Sequence, residues 1–561
     1  MHSLSRHIAT LFLVAGLYAC AGRDQGPSEE QIRQLHLKTG QVISCGPPEK
    51  EFGTVVFEMS CNEKVRDDFN NAMELLHSFE YDEAEKVFAK VINASRDCAM
   101  AYWGVAMCNF HPLWEPPAEA ELVKGSEAIE IATAIENKSD RESAYITAAA
   151  AYYRDWNKTN PKTRTLNFEK AMEQLYRTYP NDPEAAIFYS LALDASADPS
   201  DKSYRNQKKA GSILETLYKN EPNHPGIIHY IIHTYDYPGL AELGLAAARR
   251  YATVAPSSAH ALHMPSHIFT RLGYWDESIK SNSQSMTAAK CYAASSGIKG
   301  HWDEELHGLD YLVYAYLQKG NNKEAKEQLA YLGTINMVYP VNFKVAYTLA
   351  AVPARIALEN GHWDEAAGLT LHAAGFAWNR FPWQQAMIHF ARLLGAAHKY
   401  DLPAARSELD TLSMLHDSLA KQKDAYKANQ VAIQVRAGEA WMDFFGGNKK
   451  KALALMETAA DMEDSTSKHP VTPGEVLPAR ELYADMLLQV GQNESALQAY
   501  EKVLEKSPNR FNSLYGTGLA AERSGRIEKA RDYYRQLLAM ADPGSGRPEL
   551  TRARLFLQKH P

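Results

Sequence analysis

The chain has 561 residues, more than one ordinary domain core holds, which predicts several domains or one extended architecture. Hydrophobic residues make up 45% and charged residues 23% of it, proportions typical of a folded protein rather than a disordered one. The formal net charge is −8, from 60 basic and 68 acidic residues. Because phosphate binding requires concentrated positive charge, this balance argues against a nucleic-acid partner.

Residues 1–21 have the pattern of a signal peptide, with Arg6 followed by an apolar run over 8–19 that is too short to span a bilayer. Two processing routes fit. Residues 17–20 are similar to a bacterial lipoprotein box, in which Cys20 is lipidated, while Ala19 and Ala21 also suit ordinary cleavage before Gly22. The favoured prediction is an exported, periplasmic lipoprotein that touches the bacterial outer membrane only through its lipid anchor.

Residues 22–64 show no clear periodicity and are predicted to be an irregular N-terminal segment. After Cys20 the chain has an odd number of cysteines, so at least one is unpaired and a disulfide-based scaffold is excluded. These cysteines are Cys45, Cys61, Cys98, Cys108 and Cys291.

A 34-residue period runs from residue 65 to 544 and is clearest near its end. There the pairs Gly491/Gly525, Ala496/Ala530 and Tyr500/Tyr534 are each 34 residues apart. This spacing resembles the tetratricopeptide repeat, a helix-turn-helix unit, and about ten units fit. The chain is therefore predicted to be an all-α, right-handed helical solenoid in which each unit buries its apolar face against the next. We divide it into N-terminal repeats (65–224), central repeats (225–340), C-terminal repeats (341–544) and a capping tail (545–561).

The first unit predicts a possible disulfide. Its two antiparallel helices, from about residue 65 to 97, bring the chain back to the end where it entered, which places Cys61 near Cys98. A bridge between them would stabilise the fold by roughly 3 to 4 kcal/mol in the chain-entropy model. Two buried free thiols fit the sequence equally well.

Histidines are concentrated in the central repeats, where residues 224–267 hold six of the chain's 20. Units begin at Pro225, Ala259 and Leu306. With about 100° per residue, positions 2, 5, 9 and 12 of each first helix share one side, away from the stripe that packs the repeat. In tetratricopeptide repeats this side lines the concave groove. The residues placed on it are His229, His233, Asp236, His260, His263, His267, His307 and Asp310.

This pattern predicts a transition-metal site. The pairs His229/His233 and His263/His267 each put two imidazoles one helical turn apart, close enough to bind the same ion. The two pairs could converge on one metal centre, or they could hold two ions bridged by a carboxylate. Imidazole with carboxylate suits zinc, iron, copper, nickel or manganese. Asp236 and Asp310 are candidate ligands, or partners that fix a histidine tautomer. A peptide groove without metal, and purely structural hydrogen bonding, are the alternatives.

Three stretches, "CAMAYWGVAM", "HPGIIHYIIH" and "HALHMPSHIFTRLGYWDESI", resemble a group of exported bacterial tetratricopeptide-repeat proteins. The resemblance implies a scaffold that binds a protein, peptide or small ligand in its groove, and it supplies no reaction.

Three hypotheses about function follow. The first is a binding scaffold that carries a metal centre. The second is a metal-dependent hydrolase or oxidoreductase, with Asp236 or Asp310 as general base and His260 or His307 as proton shuttle or oxyanion stabiliser. The third is a peptide-binding adaptor without metal.

Overall fold

The computed structural model describes residues 26–47, 52–113, 116–372 and 375–561, so the predicted signal peptide and Cys20 lie outside the described residues. The protein is an all-α solenoid in which consecutive helices pack against each other as repeated pairs, as the sequence predicts. No described helix is both long and apolar enough to cross a membrane.

The N-terminal half packs around one continuous apolar core, which extends from Leu35 to Phe269. Its helices are α1 (Glu29–Gln34), α2 (Arg66–His77), α3 (Tyr81–Ala94), α4 (Ala99–Cys108), α5 (Glu119–Ala134), α6 (Asp140–Tyr153), α7 (Pro161–Thr178), α8 (Pro183–Ser196), α9 (Arg205–Tyr218), α10 (Pro225–Tyr235), α11 (Ala241–Val254), α12 (Ala259–His263) and α13 (Pro265–Leu272). A short 3₁₀ helix, Glu63–Val65, precedes α2.

A second core begins at Met286 and ends at Met486. Its helices are α14 (Trp275–Ser296), α15 (Asp303–Gln318), α16 (Asn322–Thr334), α17 (Phe343–Glu359), α18 (Trp363–Ala367), α19 (Pro382–His398), α20 (Leu402–Lys421), α21 (Ala425–Phe445) and α22 (Lys449–Ser465), with a 3₁₀ helix at Trp378–Arg380. Ala479, Leu482 and Met486 of the following helix complete this core. Two short strands, β1 (His301–Trp302) and β2 (Val338–Tyr339), pair in parallel beside α15.

The last five helices show what the residues of the 34-residue period do in the structure. They are α23 (Ala479–Gln489), α24 (Asn493–Lys506), α25 (Phe511–Arg523), α26 (Ile527–Met540) and α27 (Pro548–Lys559). Gly516 allows the Tyr500 ring to approach, since a Cβ there would lie 2.4 Å from it. Gly491 and Gly525 adopt positive φ angles of 78° and 74° at the turns between paired helices, a conformation that glycine tolerates best.

The solenoid closes on itself through buried polar contacts that join its last repeats to the central repeats and to the beginning of the C-terminal repeats. The Arg510 side chain is fully buried and pairs with Glu481 and Glu359, each at 2.8 Å. The Trp275 indole N–H donates to the carbonyl oxygen of Asn509 at 2.8 Å, and the Phe511 N–H donates to Gln318 Oε1 at 3.0 Å. These contacts turn the predicted concave groove into an enclosed interior.

The connection between α22 and α23, residues 466–478, lies inside this hollow, and we call it the central segment. Arg355 donates to the carbonyl oxygen of Gly474 at 2.6 Å, as does the Tyr347 hydroxyl at 2.9 Å. The His469 ring stacks on Phe343 with centroids 4.6 Å apart. The central segment therefore fills the space that an open solenoid would offer to a partner.

Two disulfides join distant parts of the chain. Cys61 and Cys98 are bonded, as the antiparallel first unit predicts, and Cys45 is bonded to Cys291 on α14. Cys108 is a buried free thiol, which accounts for the odd cysteine. The pairing of Cys45 with Cys291 was not predicted because it depends on how the whole solenoid curves.

Candidate metal centre

Three neighbouring first helices supply the histidines. His229 and His233 lie one turn apart on α10, which starts at Pro225. His263 ends α12 and His267 belongs to α13, but Met264 between the helices has helical angles (φ −52°, ψ −37°). The helical phase is therefore kept across Pro265, and these two imidazoles also stand one turn apart. His307 lies on α15.

The first histidine triad consists of His229, His233 and His260. The Nε2 atom of His229 lies 3.0 Å from Nε2 of His233 and 3.1 Å from Nε2 of His260. On its other side, the Nδ1–H group of His229 donates to the carbonyl oxygen of His77 at 2.7 Å. That hydrogen bond fixes the tautomer, so the Nε2 atom of His229 presents a lone pair to the other two rings.

The second histidine triad consists of His263, His267 and His307. The Nδ1–H group of His263 donates to Asn282 Oδ1 at 2.7 Å, and the Asn282 amide donates in turn to the carbonyl oxygen of Ser278 at 2.8 Å. The Nδ1–H group of His267 donates to Asp236 Oδ2 at 2.9 Å. Both Nε2 atoms therefore carry lone pairs, and they face each other at 3.1 Å.

Two lone pairs at this separation repel each other unless a cation lies between them. Ligand atoms that each lie about 2.1 Å from one metal ion are about 3.0 Å apart in octahedral and about 3.4 Å apart in tetrahedral coordination. The observed Nε2 separations of 3.0 and 3.1 Å match the octahedral value. In each triad the ligand atoms all lie within 4.8 Å of one another. The residues present thus fit a metal ion in each triad.

The two triads are adjacent. The ring of His233 in the first triad and the ring of His267 in the second have centroids 6.4 Å apart. The sequence predicted that the His-x-x-x-His pairs would share one centre or hold two ions. In the structure, each pair is joined by a third histidine from the first helix of the next repeat. The six histidines therefore form two neighbouring candidate metal sites.

Burial keeps these imidazoles neutral in the absence of metal. His229 and His263 have no exposed surface, and burial lowers the pKa of His229 to about 3. Burial likewise lowers the pKa of His233, His260, His263, His267 and His307. A neutral imidazole is the form that binds a metal.

The two predicted aspartates lie behind the triads rather than among their converging ligand atoms. Asp236 accepts from His267 and, at 2.8 Å, from Arg271, and Lys468 of the central segment lies 3.6 Å away. Although burial opposes it, these cations hold the pKa of Asp236 well below its ordinary value. Asp310 pairs with the buried Arg355. Asp236 therefore fixes a histidine tautomer, one of its two predicted roles, and Asp310 neutralises an arginine.

A further buried group, His77, Glu184 and His224, was not predicted. Glu184 accepts from Nε2 of His77 at 2.9 Å and from Nε2 of His224 at 3.0 Å, and the Tyr230 hydroxyl donates to Nδ1 of His77 at 3.0 Å. Its atoms also lie within 4.8 Å of one another, but here each contact pairs a donor with an acceptor. We therefore assign it a structural role: it positions the His77 carbonyl group behind His229.

A model of a known protein family supports the repeat fold for the C-terminal part of the chain. Residues 484–546 match the family model described as tetratricopeptide repeat. No curated protein matches the chain. Among solved structures, the human IFIT1 dimer with m7Gppp-AAAA is similar at 12% identity and a TM-score of 0.34, over 79% of this chain and 90% of that one. The TPR domain of P58(IPK) is similar at 12% identity and a TM-score of 0.20, over 67% of this chain and 99% of that one.

Proposed function

We propose that this tetratricopeptide-repeat protein is a binding scaffold that holds two transition-metal ions, one on each histidine triad. The observation that carries the proposal is the 3.1 Å approach of the His263 and His267 Nε2 atoms, whose tautomers are both fixed from behind by Asn282 and Asp236. Hydrogen bonding alone leaves this contact without a donor. A cation satisfies both lone pairs at once.

The donor set restricts the metal. Both triads offer only imidazole nitrogen, with neither thiolate nor carboxylate among the converging atoms. Such sites suit zinc, copper, iron or nickel better than magnesium or calcium, which prefer oxygen ligands. The hydrogen bonds behind His229, His263 and His267 support binding further, because such partners orient the ring and raise its basicity.

A metalloenzyme is the second candidate, and one observation favours it. Each triad supplies three protein ligands, which leaves at least one coordination position for water or substrate, as in catalytic zinc sites. Asp236 and Asp310 are both engaged by buried arginines. A reaction at this centre would therefore rely on His260 or His307, or on groups outside the triads, for proton transfer.

Metal content of the purified full-length protein tests the proposal. We expect two ions per chain in the unmodified protein and one in each of two variants, His229→Ala/His233→Ala and His263→Ala/His267→Ala. The matched control is His389→Ala/His398→Ala, because both residues lie on α19 and outside the triads. It should retain both ions. Circular dichroism would confirm that each variant is folded, and equal metal content in all four proteins would refute the assignment.

We also propose that the protein is exported. The two disulfides support this, because such bonds persist in oxidising compartments and are rare in the cytosol. Lipid anchoring through Cys20 remains a proposal from the sequence. The intact mass of the protein isolated from its native cell distinguishes a chain lipidated at Cys20 from one cleaved before Gly22, and a full-length mass would contradict both.

A further inference from the structure

A cavity of about 350 Å³ lies beside the first histidine triad, and the His260 ring forms part of its wall. We call it the Glu80 cavity. Its other walls come from the start of α3, from β1 and the first turn of α15, from the start of α17 and from the central segment. Its volume suits a small molecule, since ligand pockets usually measure about 300 to 1,000 Å³.

Two buried carboxyl groups face this cavity with unused hydrogen-bonding capacity. Glu80 and Glu304 are each only 9% exposed. Among the described residues, neither Oε1 of Glu80 nor Oε2 of Glu304 has a hydrogen-bond partner. Buried acceptors without a donor are uncommon in folded proteins, because leaving them unpaired costs free energy. The unpaired Glu304 oxygen therefore calls for a donor that these parts of the chain do not supply, and the Glu80 oxygen calls for one when that carboxyl group is ionised.

Three carboxyl groups, those of Glu80, Glu121 and Glu304, line the cavity and outnumber the lysines among its described lining residues. Lys344 is the one lysine among the described residues that line it, and its ammonium group is already paired with Asp303 at 2.7 Å and with Oε1 of Glu304. Burial, with Glu304 nearby, raises the pKa of Glu80 to about 8. A carboxyl group in this position gains most from a cation that enters the cavity and replaces the missing solvation.

Aromatic rings form much of the remaining wall. Phe79, Tyr81, Trp302, Phe343 and His469 all line the cavity. Ring faces attract organic cations and provide apolar contact area for a hydrocarbon body. A carboxylate ligand would instead be repelled by the Glu304 carboxylate. The combination of aromatic walls with buried carboxyl groups is the chemistry that recognises a protonated amine.

We infer that the Glu80 cavity binds a small primary amine as its ammonium cation, with the N–H groups directed to Glu80 and Glu304 and the apolar body against the aromatic rings. The inference does not depend on the metal ions, because the carboxyl groups and the rings are separate from the six triad imidazoles. Since His260 belongs to the first triad and also lines the Glu80 cavity, a bound amine would lie next to the first triad.

Calorimetric titration of the metal-free, full-length protein tests this, because removal of metal excludes direct coordination of the amine. The probes are 2-phenylethylamine, the neutral 2-phenylethanol and the anionic 3-phenylpropanoate. We expect the amine to bind at least about tenfold more tightly than the alcohol, and the carboxylate not to bind at millimolar concentration. Equal affinity for amine and alcohol, binding of the carboxylate, or no binding of the amine would overturn the inference.

Variants locate the site. Glu80→Gln keeps the shape but removes the charge, and we expect about tenfold weaker amine binding. Glu304→Gln provides a second measurement if the first variant does not fold. Glu58→Gln, at an exposed position away from the cavity, is the matched control and should bind as the unmodified protein does. Unchanged affinity in both cavity variants would contradict the inference, and the ligand series on the unmodified protein decides the question if neither variant folds.

Discussion

Metal-free protein is expected to lose stability steeply as the pH falls from about 6.5 to about 5, because its buried histidines must stay neutral for the chain to remain folded. Burial lowers the pKa of nine histidines in the described part of the chain. These are His77, His229, His233, His260, His263, His267, His307, His398 and His469.

The direction of the effect follows from which state binds more protons. In the unfolded chain these histidines titrate near their ordinary pKa of about 6.5. In the folded chain they stay neutral to much lower pH, with pKa values of about 3 for His229 and about 4 for His398. Below pH about 6.5 the unfolded state therefore binds more protons than the folded state. For each additional proton that the unfolded state binds, the free energy of unfolding falls by about 1.4 kcal/mol per pH unit.

Buried acids act in the opposite direction but are fewer. Burial raises the pKa of Glu80 to about 8 and of Asp194 and Asp485 to about 7, and it raises that of Glu463 well above its ordinary value. It also raises the pKa of four further carboxyl groups, those of Glu169, Glu304, Asp310 and Glu359. These groups are protonated in the folded state before they are in the unfolded state, so acid stabilises the fold through them. The nine histidines outnumber these eight acids, so we expect the balance to be a net loss of stability as the pH falls.

Urea unfolding of chelator-treated protein, followed by tryptophan fluorescence across this pH range, measures the effect. His398→Gln removes one buried histidine and should make the pH dependence shallower by up to about 1.4 kcal/mol per pH unit. His36→Asn changes an exposed histidine at a positive φ of 46°, which asparagine tolerates, and should leave the dependence unchanged. An unfolding midpoint that is constant or rises as the pH falls would show that the imidazoles are not held neutral.

Helical periodicity in the sequence predicts which histidines lie on the same side of their helices. The 34-residue spacing between Pro225 and Ala259 and the 3.6-residue turn place His229, His233, His263 and His267 on one side of successive helices. The structure brings these residues together with His260 and His307. The division into two triads was not predictable, because it depends on the rotation and offset between neighbouring helices, which no single-helix pattern contains.

What surrounds the triads was not predictable either. Asn282 fixes the His263 tautomer from α14, and the His77 carbonyl group fixes His229 from the end of α2, which is 152 residues away in the chain. The central segment enters the hollow only because the C-terminal repeats return to pack on α15 and α17. Each of these contacts depends on the curvature of the complete solenoid, and curvature accumulates from small rotations at every repeat.

Loss of the Cys45–Cys291 disulfide is expected to destabilise the protein more than loss of the Cys61–Cys98 disulfide. The first bond joins residues 246 apart in the sequence and the second joins residues 37 apart. In the chain-entropy model the longer loop contributes about 5.5 kcal/mol and the shorter one about 4 kcal/mol. We therefore expect Cys45→Ser/Cys291→Ser to lower the free energy of unfolding by about 5 kcal/mol.

Hydrogen bonds near Cys45 also hold the N-terminal segment in place, and they remain when the disulfide is removed. Ser44 bonds to Ser257 at 2.9 Å, and the Ile43 N–H group donates to Glu83 at 3.0 Å. Glu83 also accepts from Tyr292, next to Cys291, at 2.8 Å. Without the disulfide, residues 41–47 depend on such hydrogen bonds, at about 1 kcal/mol each, and on the packing of Val42 against the N-terminal core.

Urea titration under non-reducing conditions compares the two double variants. Cys108→Ala is the matched control, because it removes a free buried thiol without breaking a cross-link and should cost only about 1 kcal/mol. A reducing agent should destabilise the unmodified protein but have no further effect on a variant that lacks both bonds. If the reducing agent leaves the unmodified protein unchanged, the disulfides do not contribute to its stability, and the N-terminal segment is held in place by its hydrogen bonds and apolar contacts.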